Sequence, residues 1–238
     1  MLSAARKNEL EKFIKSLNIE KTDVGLLDVA LTHPSFNFEK NADSEPDYER
    51  LEFLGDSVVR LVVSEYLFDK YKNFDEGKLT KIRSYLVSDD FFSKVAQKLE
   101  LGKLLNIGPH EAKDGGRSKD SILACALESV FGAVFKSVGF DDAKKFICSL
   151  YNAIEIDVNS ILYMYNSKEL LQQYTQAKNK DLPEYQIVSE TGQAHCKMYE
   201  VNVLYHGEVL GRGIAGQKKE AEKLAAFDAI KKLNLVKG

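Results

Sequence analysis

The side chains with the clearest chemical potential are three carboxylates in the stretch ERLEFLGDS, which begins at Glu49. Residues of an α-helix step by about 100° around its axis, so Glu49, Glu52 and Asp56 share one stripe. Three carboxylates this close repel one another and are costly to bury unless a cation meets them. That cation could be Arg50, Arg60 in an i,i+4 pair with Asp56, or a divalent metal ion.

A second stretch, SILACALESVFGAVF over residues 121–135, holds one charged side chain, Glu128. The nearest charges along the chain, Asp120 and Lys136, are about two helical turns away in either direction. A carboxylate in a helix that is apolar on nearly every face must be paired or must bind a metal ion. Of all the acids, Glu128 is therefore the one for which a purely structural role is least expected.

Helices are predicted to position these acids, and the first of them runs from Glu49 to about Lys70. One set of apolar residues clusters opposite the carboxylates, and a second set fills much of the remaining surface. We therefore expect this helix to be buried nearly all round. The two sets are Leu51, Leu54, Val58, Leu61 and Val62, and Phe53, Val59 and Val63.

Composition favours an ordinary soluble protein of 238 residues with 44% apolar and 29% charged side chains. No apolar run approaches the ~18 residues of a membrane span, and the first residues lack a secretory h-region. The three cysteines, Cys125, Cys148 and Cys196, lie far apart without zinc-ligand spacing. We expect reduced thiols, no zinc site, no membrane association and a cytoplasmic location.

Three motifs carry a resemblance to a known family. ERLEFLGDS resembles the signature of the ribonuclease III family, with Gly55 and the acidic positions in place. ALTHPSF from Ala30 and EGKLTKIRSYLVS from Glu76 resemble further elements of that family. The resemblance implies an all-α endonuclease domain, which we assign to residues 1–151. We expect helices over residues 78–86, 89–99, 121–135 and 139–151, and a long loop over residues 108–119.

The resemblance also implies roles for individual acids. Our hypothesis is that Glu52, Asp56 and Glu128 hold Mg²⁺, with Mn²⁺ as a possible substitute, and that Asp56 and Glu128 are catalytic. Glu49 is expected to contact RNA or a neighbouring side chain. Glu76 matches a position that touches RNA or helps to pair subunits, although a surface acid beside a turn explains it equally well.

A homodimer follows from the same resemblance, because family members pair their nuclease domains so that two sites cut opposite strands. Phe53 matches the aromatic position that inserts into the partner. The alternative is that Phe53 is an aromatic residue of its own domain's core.

The pattern of apolar residues changes after a connector at residues 152–165. A helix, three alternating strands and a final helix are predicted over residues 166–235. This α-β-β-β-α order, with the pattern GxGxxxxKKxAExxAA from Gly211 to Ala226, resembles a small α+β double-stranded-RNA-binding domain. Residues 166–238 carry 11 Lys and Arg against 9 Asp and Glu, whereas the whole chain has a net charge of −3. A mildly basic tail behind an acidic domain suits a polyanion-binding module beside a metal-using one.

RNA contacts within this domain are also carried over by resemblance. Gln172 and Gln173 on its first helix, with Glu169 as a further candidate, are expected to contact the minor groove. His195 in a turn is expected to contact the next minor groove. Lys218 and Lys219 at the start of the last helix, with Lys223 one turn further on, are expected to contact phosphates.

Together the two modules cover essentially the whole chain and imply a metal-dependent endoribonuclease for double-stranded RNA. The family's products have 5′-phosphate and 3′-hydroxyl ends with short 3′ overhangs, and its substrates are ribosomal RNA precursors and structured messenger RNA. One residue departs from the family pattern, because Cys125 stands where the family has an Asp three residues before Glu128. The alternative is thus a weak or inactive double-stranded-RNA-binding protein that keeps the nuclease fold for dimerisation. A third possibility is an active enzyme with altered metal preference.

Overall fold

A computed structural model describes residues 2–40, 45–192 and 197–236 of the chain. The chain divides into two compact units, of which the first ends at Ile156 and the second begins at Asp157. The first unit contains α1 (Ala4–Ser16), α2 (Val24–Ala30), α3 (Pro34–Phe38), α4 (Glu49–Lys70), α5 (Glu76–Leu86), α6 (Asp89–Lys98), α7 (Leu101–Leu104), α8 (Pro109–Lys113), α9 (Asp120–Val138) and α10 (Phe140–Asn152). The second unit contains α11 (Val158–Asn179), β1 (Glu184–Thr191), β2 (Met198–Tyr205), β3 (Glu208–Ala215) and α12 (Lys218–Lys232). The predicted order of an all-α domain and an α-β-β-β-α domain is confirmed.

Helix α9 is the centre of the first unit and packs against α2, α4, α6 and α10. Most of its residues from Ile122 to Val134 are buried. Its length and composition would allow it to cross a membrane, but 67% of its most apolar window is buried inside the folded unit. The high apolar content of this helix is therefore that of a core helix that contacts neighbours on most sides.

Two glycines let α4 and α9 cross in direct backbone contact. A Cβ atom added at Gly55 would lie 1.7 Å from the carbonyl oxygen of Glu128, and one added at Gly132 would lie 2.2 Å from that of Leu51. Only hydrogen fits at either position, because real Cβ contacts are essentially never shorter than 3.0 Å. The glycine within ERLEFLGDS therefore sets the distance between the helix of Glu52 and the helix of Glu128.

Helix α4 has the predicted limits, but the expectation that it is buried nearly all round is wrong. Val58, Val59 and other residues of one face are buried, whereas Phe53 and Leu61 are 79% and 57% exposed. Phe68 continues this exposed apolar face at 70% exposure. The sequence pattern shows that a side chain is apolar, but it does not show whether the chain's own core or another surface covers it.

Two predicted irregular segments contain helices. The expected loop at residues 108–119 includes α8 and a 3₁₀ turn at Gly116–Ser118. Pro109 favours the start of α8, and the guanidinium of Arg117 donates to the carbonyl oxygens of Gly102 and Leu105, both at 2.8 Å. The expected connector at residues 152–165 is helical from Val158 onward, where the side chain of Asp157 caps α11.

In the second unit, α12 packs on one face of a three-stranded antiparallel sheet of order β1-β2-β3, and α11 packs against α12. Gly211 and Gly213 on β3 lie against the backbone of α12, where an added Cβ would come within 2.4 Å and 2.2 Å of helix carbonyl oxygens. Buried alanines of α12 make this approach possible, which explains the predicted GxG and AExxAA pattern. The buried core comprises Leu171, Val201, Val203, Ala221, Ala225, Ala226, Ala229 and Ile230.

Candidate active site and RNA-binding surface

The α4–α9 crossing brings two of the predicted metal ligands together with a thiol. A carboxylate oxygen of Glu52, the Sγ of Cys125 and a carboxylate oxygen of Glu128 all lie within 4.8 Å of one another. Glu52 is one turn before Gly55 on α4, and Cys125 is one turn before Glu128 on α9. We call these three residues the acid–thiol cluster.

Asp56 lies beside the acid–thiol cluster, and its carboxylate interacts with both Glu128 and Arg60. Its carboxylate raises the pKa of Glu128 through its negative charge and through a side-chain hydrogen bond to the protonated acid. Its Oδ1 also accepts a hydrogen bond from Nε of Arg60 at 2.6 Å. The i,i+4 ion pair considered from the sequence is therefore present, but it satisfies only one of the acids. Since 54% of the Arg60 side chain is exposed, this pair is weak.

The charges around Glu128 are of one sign. Glu128 is only 8% exposed, and the pKa of its carboxyl group is raised to about 8. Burial is the largest cause, and the negative charges of Asp56, Glu52 and Asp89 add to it. The pKa of Glu52 is also raised, first by burial and then by Glu49 and other acids. A buried group of carboxylates with this electrostatic character suits a divalent cation, because a cation would remove both the repulsion and the unfavourable burial of charge.

Cys125 is half-buried, and burial together with its hydrogen bond to Glu52 raises the pKa of its thiol to about 12. The neutral thiol donates to the carboxylate of Glu52, which lowers the pKa of that acid in part. The donor set therefore contains hard carboxylate oxygens, which fit Mg²⁺, and one soft sulfur, which does not.

Asp89 adds negative charge near this site, although no sequence pattern indicated a role for it. It is the first residue of α6, and its charge raises the pKa of Glu52, Cys125 and Glu128. In the sequence it follows the N-cap Ser88, where an acid is explained by the helix dipole alone. Its place beside the site depends on the packing of α6 against α9, which no local pattern indicates.

Glu49 and Glu76 are both exposed and lie outside the acid–thiol cluster. Glu49 is in the first turn of α4, with its backbone N–H bonded to Asp47 at 3.0 Å. Glu76 begins α5 and accepts a hydrogen bond from the hydroxyl of Thr80 at 2.8 Å. Their positions leave both carboxylates accessible from solvent.

The predicted RNA-contacting residues of the second unit lie at its surface wherever the structure describes them. Gln172 and Gln173 are exposed on α11, and the amide of Gln173 donates to Glu169 at 3.3 Å. Lys218 and Lys219 are exposed in the first turn of α12, and within the described part of the chain neither forms an ion pair. His195 lies outside the described residues.

Lys223, the further lysine predicted to extend the phosphate contact, already contacts two other side chains. Its ammonium group lies 2.6 Å from the carboxylate of Glu220 and 4.3 Å from the ring centroid of Tyr165. Only 16% of its side chain is exposed. The two lysines at the helix start are therefore more available to a polyanion than the one a turn further on.

Comparison with known proteins gives two family matches in the predicted order. The family described as Ribonuclease-III-like matches residues 23–154, and the double-stranded RNA binding motif matches residues 167–233. Ribonuclease 3 from Campylobacter jejuni is 42% identical over 226 residues, which cover 94% of this chain and 97% of that protein. Ribonuclease 3 from Borreliella burgdorferi is 40% identical over 233 residues, which cover 95% of this chain and 92% of that protein.

Solved structures agree with the first unit. The crystal structure of the nuclease domain of ribonuclease III from Campylobacter jejuni has a TM-score of 0.56 and 43% identity, and the match covers 62% of this chain and 98% of that domain. A second structure of that nuclease domain, also with a TM-score of 0.56, is described as flexible in a region involved in dimer formation.

Proposed function

We propose a mechanism from the premise that this chain belongs to the ribonuclease III family and is an endoribonuclease that acts on double-stranded RNA. Glu52, Asp56 and Glu128 hold divalent metal ions at the α4–α9 crossing. The observation that carries this assignment is the burial of Glu128 to 8% exposure among carboxylates. In its ionised form, a buried acid with such neighbours is destabilising unless a cation joins it.

The three carboxylates have different roles in the proposed site, because they differ in burial and position. Glu52 and Glu128, on facing helices, would hold the ions, and the side of the site that Glu128 forms is closed to bulk water because this residue is buried. Asp56, which is 35% exposed, faces the solvent from which RNA and water arrive. When bound, divalent ions supply an activated water and stabilise the charge that develops on the phosphate and on the leaving 3′-oxygen.

Mg²⁺ is the proposed physiological ion, with Mn²⁺ as a substitute. The family is metal-dependent, and the carboxylate oxygens present here are the hard ligands that Mg²⁺ prefers. Mn²⁺ takes similar ligands and tolerates nitrogen and sulfur better. The products are proposed to carry 5′-phosphate and 3′-hydroxyl ends with short 3′ overhangs, and the substrates to be precursor ribosomal RNA and structured messenger RNA in the cytoplasm.

The second unit binds double-stranded RNA, and we assign the contacts to three places on it. Gln172 and Gln173 reach the minor groove from the exposed face of α11, with Glu169 beside them. His195 enters the next minor groove. Lys218 and Lys219 meet phosphates at the first turn of α12, where no side chain caps the helix amides. Glu49 and Glu76 are assigned to RNA contacts of the first unit.

A homodimer through the exposed face of α4 completes the proposal. Phe53, Leu61 and Phe68 lie on one side of this helix and are more than half exposed in the single chain. Such an apolar face is typical of a protein–protein interface. The 79% exposure of Phe53 argues against the alternative that this ring fills its own domain's core.

The direct test replaces Glu128 with Gln, which keeps the shape and removes the charge. Glu128→Gln should abolish cleavage of labelled double-stranded RNA, with at least a 100-fold loss of rate, while binding of the RNA is unchanged. Glu65→Gln on α4 is the matched control, because Glu65 pairs with Lys144 outside the cluster. Wild-type-like cleavage by Glu128→Gln would remove Glu128 from the mechanism.

Cys125 supports one rival function, that of an RNA-binding protein without nuclease activity. A thiol in place of the family's Asp weakens a Mg²⁺ site, because sulfur is a poor ligand for that ion. Cys125→Asp separates the possibilities. A large gain in Mg²⁺-dependent rate would show that the thiol is a handicap, and an unchanged rate would show that three acids suffice.

A further inference from the structure

The thiol of Cys125 is placed as a ligand atom would be. Its Sγ lies within 4.8 Å of carboxylate oxygens from both Glu52 and Glu128. Bonds from a thiophilic ion to sulfur and oxygen are about 2.3 Å and 2.1 Å, so two ligand atoms of one tetrahedral ion are about 3.5 Å apart. Side-chain rotations that move these atoms by about 1 Å therefore bring all three into one coordination sphere.

An independent observation at the same place points to a cation. Glu128 is more than nine-tenths buried, its carboxylate is directed at the cluster, and the charges that act on it are those of other acids. No cationic side chain of the described residues pairs with it. The site thus combines a buried acid that no described cationic side chain pairs with and a sulfur atom one helical turn away.

The second described thiol, Cys148, lies in a different environment, without unpaired acids among the described residues around it. It is half-buried on α10 beside Lys144 and Glu65, which pair with each other at 2.6 Å. Charge is balanced there without a metal ion. Cys148 is therefore a matched control for every experiment on Cys125.

We propose that Cys125 is itself a metal ligand, so that the site binds a thiophilic divalent cation such as Cd²⁺, Co²⁺ or Zn²⁺ through sulfur and two carboxylates, more tightly than it binds Mg²⁺. On binding, the S–H bond breaks, a metal–sulfur bond forms and the proton passes to water. Sulfur and carboxylate ligands together favour these ions over Mg²⁺. The inference rests on the proposed metal site and adds its ion selectivity.

The test is a titration of the metal-free full chain with Co²⁺ or Cd²⁺, read by the sulfur-to-metal charge-transfer absorption band rather than by activity. Wild type, Cys148→Ala and Cys196→Ala should all show the band at one equivalent of metal. Cys125→Ser should lose the band and bind Cd²⁺ at least tenfold more weakly, while its Mg²⁺ affinity changes less than threefold. If Cys125→Ser fails to fold, Glu52→Gln tests the same site, because it should weaken Cd²⁺ binding tenfold and keep the band.

Each remaining outcome contradicts the inference in a recognisable way. A band that survives in Cys125→Ser, or one that disappears in Cys148→Ala, assigns the sulfur ligand to another cysteine. Wild-type protein that cuts RNA with Mg²⁺ but gives no band with Co²⁺ or Cd²⁺ overturns the sulfur ligand and leaves the proposed function standing. Protein that binds neither Cd²⁺ nor Mg²⁺ and does not cut RNA overturns the metal site itself.

Discussion

Glu128 shows how a single residue can be interpreted from sequence and then placed by structure. A lone carboxylate in an apolar helix indicates a cation partner, and the structure confirms that the side chain is buried among acids. The sequence also indicated that Cys125 shares this site. What it did not indicate is Asp89, because an acid after the N-cap Ser88 is explained locally by the start of α6.

The raised pKa of Glu128 predicts a pH-dependent stability of the metal-free protein. The folded state holds a proton, up to about pH 8, that the unfolded chain releases near pH 4.5. This contribution to the free energy of unfolding is fully present below the unfolded pKa and is lost as pH rises through the folded pKa. Its size is on the order of a few kcal/mol, because each pKa unit corresponds to about 1.4 kcal/mol.

The measurement is urea unfolding in EDTA at several pH values between about 5 and about 8, for wild type and Glu128→Gln. Wild type should lose stability relative to Glu128→Gln across this range. Glu65→Gln should follow wild type, since Glu65 is paired with Lys144 away from the cluster. Parallel curves for wild type and Glu128→Gln would show that Glu128 is ionised normally in the folded protein.

At the scale of elements, the α4–α9 crossing holds the site together. The limits of α4, and the existence of α9, follow from helical periodicity and could be predicted. The short distance between the two helices depends on Gly55 and Gly132. The sequence shows that these residues lack side chains, but it does not show that the helices cross there. Likewise, periodicity could not show that Phe53 is exposed or that α11 begins at Val158, because both depend on what packs against the helix.

Gly55→Ala is predicted to disrupt this crossing. Its Cβ would lie 1.7 Å from the carbonyl oxygen of Glu128, so the helices must separate. We expect a loss of about 3 kcal/mol or more of unfolding free energy, with cleavage lost in proportion. Gly77→Ala on α5 is the control, because its Cβ would meet only the Asp75 carboxylate at 3.5 Å. Equal stability of the two variants in thermal unfolding would contradict the proposed tight crossing.

The first turn of α12 is predicted to set the salt dependence of RNA binding. Replacing Lys218 and Lys219 with Ala should weaken double-stranded RNA binding and reduce the slope of log affinity against log salt by about 2, or about 1 per phosphate contact. Lys223→Ala should change the slope less, because Lys223 pairs with Glu220. Binding titrations at several salt concentrations measure these slopes, and an unchanged slope in the double variant would place the phosphate contacts elsewhere.

At the scale of the whole molecule, the order of a nuclease unit and an RNA-binding unit could be predicted because each carries its own contiguous motif. The oligomeric state is harder to predict from the sequence, because the sequence does not distinguish apolar residues of a core from those of an interface. The exposed face of α4 gives the dimer proposal its structural basis, with Phe53 and Phe68 at 79% and 70% exposure.

Phe53→Glu is predicted to make the protein monomeric. A charge at the centre of an apolar interface is costly to desolvate, so sedimentation at micromolar concentration should show a dimer for wild type and a monomer for this variant. Phe38→Glu is the control, because Phe38 on α3 is 73% exposed but lies on another helix. A wild-type monomer at this concentration would contradict the proposed pairing.

Our proposal is that this chain cuts double-stranded RNA with metal ions held by Glu52, Asp56 and Glu128, although Cys125 stands where the family has an Asp. The decisive experiment is incubation of the purified full chain with long end-labelled double-stranded RNA in EDTA, Mg²⁺ or Mn²⁺. We predict shortening to small duplexes with either metal and intact RNA in EDTA. Bound but uncut RNA under all three conditions would contradict the claim and identify Cys125 as the first residue to replace.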